Sequence, residues 1–428
     1  MSAGALKALA ALCVLLIVSC AQTGVIDDIP EIDINGKDPM NFTCLTQNNE
    51  QEHTTRAASS LTSDFMVSTY KSYGETRQQT VMDRYVVEYK ENRDDWNGIV
   101  NSNWNYVNVT NPFTSTPQYE KYWDYSAFPY RFHAVAPYTS NTPSEVTLDD
   151  KNLKINKTYQ MQICTNGLVS PTDAVAEPYL IAQIQRNTDG TDQDLIGNGS
   201  VNNTSTSKNR YVAMPFHHIN SKIRFGIYTT TQWLTANKTY IKDLEIKVIG
   251  GTTTGTNEGT TTEVLATAAA GYTASGTGSW KSDTGFTGLT TVPVSSSDGL
   301  PIFTFAGGKD IPGNDLTNCQ TRQTAFFLSC PQGIMQIPQK DVQMQVSFKL
   351  YEYGNDTEAY ETFTNVPIRI VYENAPDDPK TTFDWTAGNI HTYYLVIGEV
   401  QNKLEITFTA TLAPWEDVTG SLTTDLEQ

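Results

Sequence analysis

The stretch Leu404-Glu405-Ile406-Thr407-Phe408-Thr409-Ala410-Thr411-Leu412 puts an apolar residue at every second position. A period of two suits a β-strand that turns one face to a core and the other to water, and a helix has no use for it. Outward from this run the same alternation recurs at Tyr85-Val87-Tyr89, Phe132-Ala134-Ala136, Ile223-Phe225-Ile227 and Val346-Phe348-Leu350. Gly, Pro, Asn and Asp clusters punctuate these segments, and few windows space apolar residues helically, so the chain reads as all-β. Two polar stretches break the pattern. Residues 187–208, rich in Asn, Thr, Gly and Asp, read as a loop or domain junction, which puts a boundary near Lys208. Residues 250–299, crowded with Thr, Gly, Ser and Ala, read as a mobile excursion or a set of long hairpins.

Composition narrows the function. The 428 residues carry 29 Lys+Arg against 47 Asp+Glu, a net charge of -18. Phosphate binding needs a basic face that this balance does not supply, so nucleic acid is not an expected partner. With 39% hydrophobic and 11% aromatic residues the chain has enough apolar side chains for packed cores, and its length suits two β-rich domains.

The N-terminus reads as an export signal over 1–19. Lys7 is its one charge, Ala8 to Val18 is a short apolar run, and small residues precede Cys20. Ile17-Val18-Ser19-Cys20 is similar to a bacterial lipobox, in which cleavage before the cysteine leaves its thiol to carry diacylglycerol. A multi-chain lipid anchor holds far more firmly than a single acyl chain. Ala21 follows the cysteine, which favours the outer membrane as the destination. Four cysteines then stay available: Cys44, Cys164, Cys319 and Cys330. An exported chain permits two disulfides, and closeness in sequence favours Cys319 with Cys330, leaving Cys44 with Cys164. The other reading is four buried thiols.

Several segments in order carry a family resemblance. Thr55-Arg56-Ala57 precedes a strand-like run with Phe65-Met66-Val67. Trp104-Asn105-Tyr106, Tyr122-Trp123 and Tyr130 to Tyr138 follow, then Phe216-His217-His218-Ile219, Lys222 to Phe225 and Cys330-Pro331-Gln332. Trp385 to Leu395 and Trp415-Glu416-Asp417 close the series. With these the chain resembles the Bacteroidetes fimbrillin-like lipoproteins, the superfamily of type V pilins. The resemblance implies two transthyretin-like β-sandwiches in tandem, at 57–208 and 209–428, after a lipidated pro-segment at 20–56. It implies a structural or adhesive subunit located at the outer membrane, cell surface and fimbrium; the polar tail after Trp415, which lacks the alternation of a donor strand, favours a tip or accessory position over a stalk. Its partners would be other fimbrial subunits joined by β-strand exchange, the outer membrane through the lipid on Cys20, and a host protein or glycan receptor. Arg56 is the expected site of arginine-specific cleavage, with Ala57 the new N-terminus. Such a cut releases Met40-Phe42-Cys44, an alternating set fit for a first strand; Arg77 and Arg84 are poorer sites because cutting there removes the strand around Phe65. A donated strand restores both ladder bonds and burial wherever a sheet has lost a strand. The donor candidate is Leu404, Ile406, Phe408, Ala410 and Leu412, since the polar tail beyond Trp415 lacks alternation.

A second reading comes from the aromatics. Trp104, Tyr106, Tyr122, Trp123 and Tyr125 would form a sugar-stacking platform on a glycan-binding surface lipoprotein if their rings were exposed. Catalytic signals are thin. His53, His133, His217, His218 and His391 are dispersed, and HExxH, GxSxG and P-loop patterns are absent from the sequence. Ser68-Thr69-Tyr70-Lys71 fits SxxK without its companion motifs. Adjacent His217 and His218 on a strand are expected to point one inward and one to solvent. Asp189 to Asp194 reads as an acidic turn. No cofactor and no metal site is expected, and the chain is not read as an enzyme.

Overall fold

The computed structural model describes residues 38–46, 61–74, 77–90, 103–149, 153–156, 162–170, 179–196, 199–201, 211–230, 240–257, 260–265, 271–272, 279–281, 285–287, 291–292, 299–305, 318–328, 333–351, 357–372, 375–400 and 403–414. The signal, Cys20, His53, Arg56, Ala57, Cys330 and the tail from Trp415 lie outside the described residues.

The first part of the chain forms β1 (Phe42–Thr46), β2 (Phe65–Tyr73), β3 (Arg77–Tyr89), β4 (Trp104–Asn105), β5 (Tyr130–Ala136), β6 (Val146–Leu148), β7 (Leu153–Asn156), β8 (Ile163–Thr165), β9 (Leu168–Ser170), β10 (Leu180–Arg186), β11 (Asp192–Asp194), β12 (Gly199–Val201) and β13 (Val212–His218). A single-turn helix, α1 (Thr142–Glu145), sits before β6. There follow β14 (Ser221–Thr229), β15 (Tyr240–Asn257), β16 (Thr260–Leu265), β17 (Gly271–Tyr272), β18 (Ser279–Lys281), β19 (Gly285–Thr287), β20 (Thr291–Val292), β21 (Leu300–Thr304), β22 (Phe326–Phe327), β23 (Ile334–Gln336), β24 (Gln339–Tyr351), β25 (Glu361–Pro367), β26 (Ile370–Tyr372), β27 (Ala375–Lys380), β28 (Phe383–Trp385), β29 (Asn389–Val400) and β30 (Lys403–Pro414). The all-β reading holds.

One hydrogen-bonded path runs β1-β13-β10-β5-β2-β3-β4. It bends until its ends share a core: Phe42 on β1 and Tyr106 just past β4 have ring centroids 5.9 Å apart. Phe65, Val67, Phe132, Ala134, Ile184, Met214 and Phe216 fill the inside. The opposite face is covered as well, because Met66, Val135 and Ile181 pack against Val146, Leu148, Leu153 and Ile155 of β6 and β7. A sheet dry on both faces explains why β5, β10 and β13 are nearly continuously buried. It also overturns the expectation for His217 and His218, which are both buried.

The second core lies between two sheets, ordered β22-β14-β29-β30-β26-β27 and β25-β24-β15-β21-β8-β9. Ile223, Phe225, Ile227, Tyr393, Leu395 and Ile397 on one face meet Ile246, Val248, Met344, Val346, Phe348 and Leu350 on the other. Phe225 packs edge-on against Phe303 across the gap at 5.0 Å. Two sheets with one core between them make up this half.

The boundary expected near Lys208 shifts, for a reason in the pairing. Strand β13, beyond Lys208, still belongs to the first sheet, where it pairs with β1 and β10, and the second sandwich begins with β14. The halves are also interlocked. Hairpin β8–β9 comes from the first half, yet β8 lies parallel to β21 in the second sandwich. In return β18, from the Thr/Gly-rich stretch, pairs with β7 over the first sheet. That stretch also supplies β16, which pairs antiparallel with β15.

Candidate functional site

The segment Asp38–Thr46 occupies an end position of the first sheet, and its setting is built from three places in the sequence. β1 runs parallel to β13, with Phe42 opposite Val212 and Thr46 opposite Phe216. Parallel partners cannot be joined by a tight turn, so they come from distant parts of the chain. On the other side the segment is held by the loop that follows β4. Met40 N–H donates to Lys121 O at 2.7 Å and Trp123 N–H donates to Asp38 O at 2.9 Å, while on the β13 side Val212 N–H donates to Asn41 O at 2.8 Å. Tyr125 donates its hydroxyl to the Asp38 carboxylate.

Met40 and Phe42 are wholly buried between these walls. The Phe42 ring stands edge-on to Phe65 at 5.7 Å, Tyr106 at 5.9 Å and Phe132 at 6.1 Å. Edge-to-face clusters of this kind add to area burial, and a fully buried Phe is worth about 1.5–3 kcal/mol from burial alone. Tyr106 O–H donates to Met40 O at 2.8 Å. Burial pushes the phenol well above the ordinary tyrosine range, so it is a neutral donor at any physiological pH.

The loop wall is itself fixed by side chains doing backbone work. Gln118 Oε1 accepts from Val86 N–H at 2.7 Å while its Nε2 donates to Val86 O at 2.8 Å and Tyr106 O at 2.9 Å. Asn111 Nδ2 donates to Asp83 O at 3.1 Å and Arg84 O at 3.3 Å. Asp124 accepts from Lys71 Nζ at 2.7 Å and from Tyr73 at 2.8 Å. The bond from Lys71 leads among the contacts that hold this carboxyl well below the usual range. Behind the wall, Arg186 is wholly buried, grips Asp192 through two bonds of 2.6 Å, donates to Tyr211 O at 2.6 Å, and places its guanidinium 4.8 Å from the Trp123 ring centre.

The residues singled out from sequence fall as follows. Phe42 opens the strand expected of it, Met40 lies two residues before that strand and is held by the loop at Lys121, and Cys44 lies on β1 with its side chain outside the described residues. Cys164 and Cys319 are buried in the second core, and Cys164 Sγ donates to Leu328 O at 3.2 Å. The partner in each expected pair, Cys44 or Cys330, is outside the described side chains, so the pairings remain expectations. The donor candidate falls in β30, paired along its whole length with β29 and at Phe408 with Ile370 of β26. Phe408 is in the core, Ala410 packs against it, and Leu412 is 63% exposed; the side chains of Leu404 and Ile406 are outside the described set. As it stands this run completes its own sandwich.

The sugar platform is not assembled. Trp104, Tyr106 and Trp123 are buried in the first core, because the loop folds its rings inward under Met40 and Phe42. Tyr125 is exposed and Tyr122 half-buried, with its hydroxyl on Glu120. The acidic turn serves the fold: Asp189 Oδ1 accepts from Thr191 N–H at 2.9 Å, and Asp194 lies 2.7 Å from His217 Nε2. In the SxxK segment Ser68 Oγ accepts from Arg84 N–H, and Lys71 is the partner of Asp124. Sequence reasoning missed Arg186 and Gln118, since a buried arginine and a glutamine that pairs with backbone leave no periodic trace.

A family model described as fimbrillin-like matches residues 53–415. No curated protein matches the chain. Similar solved structures include a fimbrial protein from Bacteroides vulgatus ATCC 8482, 16% identical, with 89% of this chain and 99% of that one covered at a TM-score of 0.45. They include the tip fimbrial protein Mfa3 from Porphyromonas gingivalis with a C-terminal truncation, 11% identical, covering 89% and 100% at a TM-score of 0.27.

Proposed function

The chain belongs to the fimbrillin-like family, and from that membership we propose that it is a pilin-type subunit, structural or adhesive, of a type V fimbria. In this reading it reaches the outer membrane as a lipoprotein through Cys20, is cut between Arg56 and Ala57, and joins other subunits by β-strand exchange at the cell surface. Its work is done by β-edges and not by catalysis.

The observation that carries the reading is the seat of Asp38–Thr46. With Cys44 unbridged, a cut after Arg56 detaches β1 from the rest of the chain without touching β2, which begins at Phe65. What is left behind is an apolar slot lined by Phe65, Tyr106, Phe132 and Phe216 and an unpaired edge on β13 from Val212 to Phe216. A vacant apolar slot beside bare backbone groups is filled favourably by a strand from another chain. Head-to-tail repetition of that contact gives a filament. The run in β30 acts as donor only by leaving β29, so the acceptor end carries more of the argument than the donor end.

N-terminal analysis of cell-surface protein, with and without arginine-specific proteolysis, tests this. Assembled material beginning at Ala57 is expected. Filaments whose subunits still begin at the lipidated Cys20 would exclude exchange at this seat.

A further inference from the structure

Met40 and Lys121 face each other next to the antiparallel bridge between Pro39 and Tyr122, and the rung between them is made of two unlike halves. One half is a direct bond, Met40 N–H to Lys121 O at 2.7 Å. In the other, Lys121 N–H donates to the Tyr106 hydroxyl oxygen at 3.0 Å, and the Tyr106 O–H donates onward to Met40 O at 2.8 Å. The hydroxyl is thus inserted where an ordinary rung has a single N–H to carbonyl bond. The same side chain lays its ring against Phe42, so one residue touches the segment's backbone at position 40 and its anchor at position 42. It also has a fallback, since Lys121 O lies 3.5 Å from the hydroxyl.

We propose that Tyr106 is the positioning residue of the strand seat: its hydroxyl relays half a rung to the main chain of whatever strand takes the place of Met40. This rests on the strand-exchange reading. The partner it fits is an extended segment with an apolar residue other than proline at the Met40 position, where the side chain is wholly buried, and a large apolar side chain two residues on. Proline fails because the direct half of the rung needs an N–H. With the slot empty, the hydroxyl can turn to Lys121 O, which spares the seat a buried donor without a partner.

The test is a double-mutant cycle on the full chain. Phe42→Ala weakens the resident strand, and a labelled peptide of the sequence Asp38–Thr46 is offered in two forms, all-amide and with an ester between Met40 and Asn41. The ester weakens the Met40 carbonyl as an acceptor. It is expected to lower affinity about fivefold, the range of one net hydrogen bond, and to have nearly no effect when Tyr106→Phe is added. Equal penalties in both backgrounds overturn the proposal. Should neither peptide bind, strand exchange at this seat fails, and Tyr106 is judged on the chain with Phe42 intact by amide exchange. There Tyr106→Phe is expected to speed exchange at Lys121 and Met40 about tenfold, the loss of roughly one rung, while β29 is unchanged. Unchanged rates at Lys121 and Met40, or an equal rise throughout β29, overturn it.

Discussion

Phe42 was legible as a strand residue from its spacing with Met40 and Cys44, but not the three rings that surround it, which come from distant parts of the chain. Phe42→Ala is expected to destabilise the first core by about 3–5 kcal/mol, the usual cost of deleting a buried ring. Denaturant unfolding followed by near-UV circular dichroism measures it, and a loss under about 1 kcal/mol would show that the segment is not seated as described. The histidines give a second expectation. Burial holds His133 and His391 down to about 4 and His218 to about 3, so each is neutral in the fold. Unfolding lets each take up a proton at its ordinary value near 6.5. Stability is therefore retained above about pH 6.5 and falls as pH drops towards 4, by about 1.4 kcal/mol per pH unit for each histidine. Urea midpoints across that range check the slope, and His133→Gln flattens it if the burial argument holds. Sequence could not supply this, because a histidine on a strand betrays its burial only when both sheet faces are known to be covered.

Strands long enough to alternate were legible from their period, although in β5 the face expected to meet water is buried as well. Leu404 to Leu412 is the clearest case, and its pairing in β30 separates two side chains that the pattern treats alike. Phe408 is buried, whereas Leu412 is 63% exposed. Phe408→Asp should cost more than about 3 kcal/mol and Leu412→Asp less than about 0.5 kcal/mol, measurable as shifts of the thermal midpoint. Similar losses at both positions would contradict the placement of β30. Short strands were not legible. β8 and β9 have three residues each, joined by Asn166 and Gly167 at φ 52° and 81°. The Asn-Gly pair announces a tight hairpin. It does not announce which sheet the hairpin joins, since that depends on β21, far along the chain.

At the scale of the whole molecule, the tandem division suggested by the resemblance meets a chain that crosses between its halves more than once. Gln162 links them by main chain and side chain: its N–H donates to Met335 O at 3.1 Å, its Oε1 accepts from Met335 N–H at 2.7 Å, and its carbonyl accepts from Gln336 Nε2 at 2.7 Å. Ile337 from the second half joins the apolar cluster on the outer face of the first sheet. The two halves are therefore expected to melt in one transition, with calorimetric and van't Hoff enthalpies in agreement. Gln162→Ala should weaken that agreement and resolve two steps. Two separate transitions in the unsubstituted protein would show that the seam couples little. The pairing of β1 with β13 has a last consequence, one of timing. Phe42 leaves the ribosome early, but the strand it lies against is made much later, so its lodging does not exist until most of the domain has been synthesised. The first of the described strands to be made can settle only once β13 has followed it, and the sheet between them must tolerate waiting for a tenant.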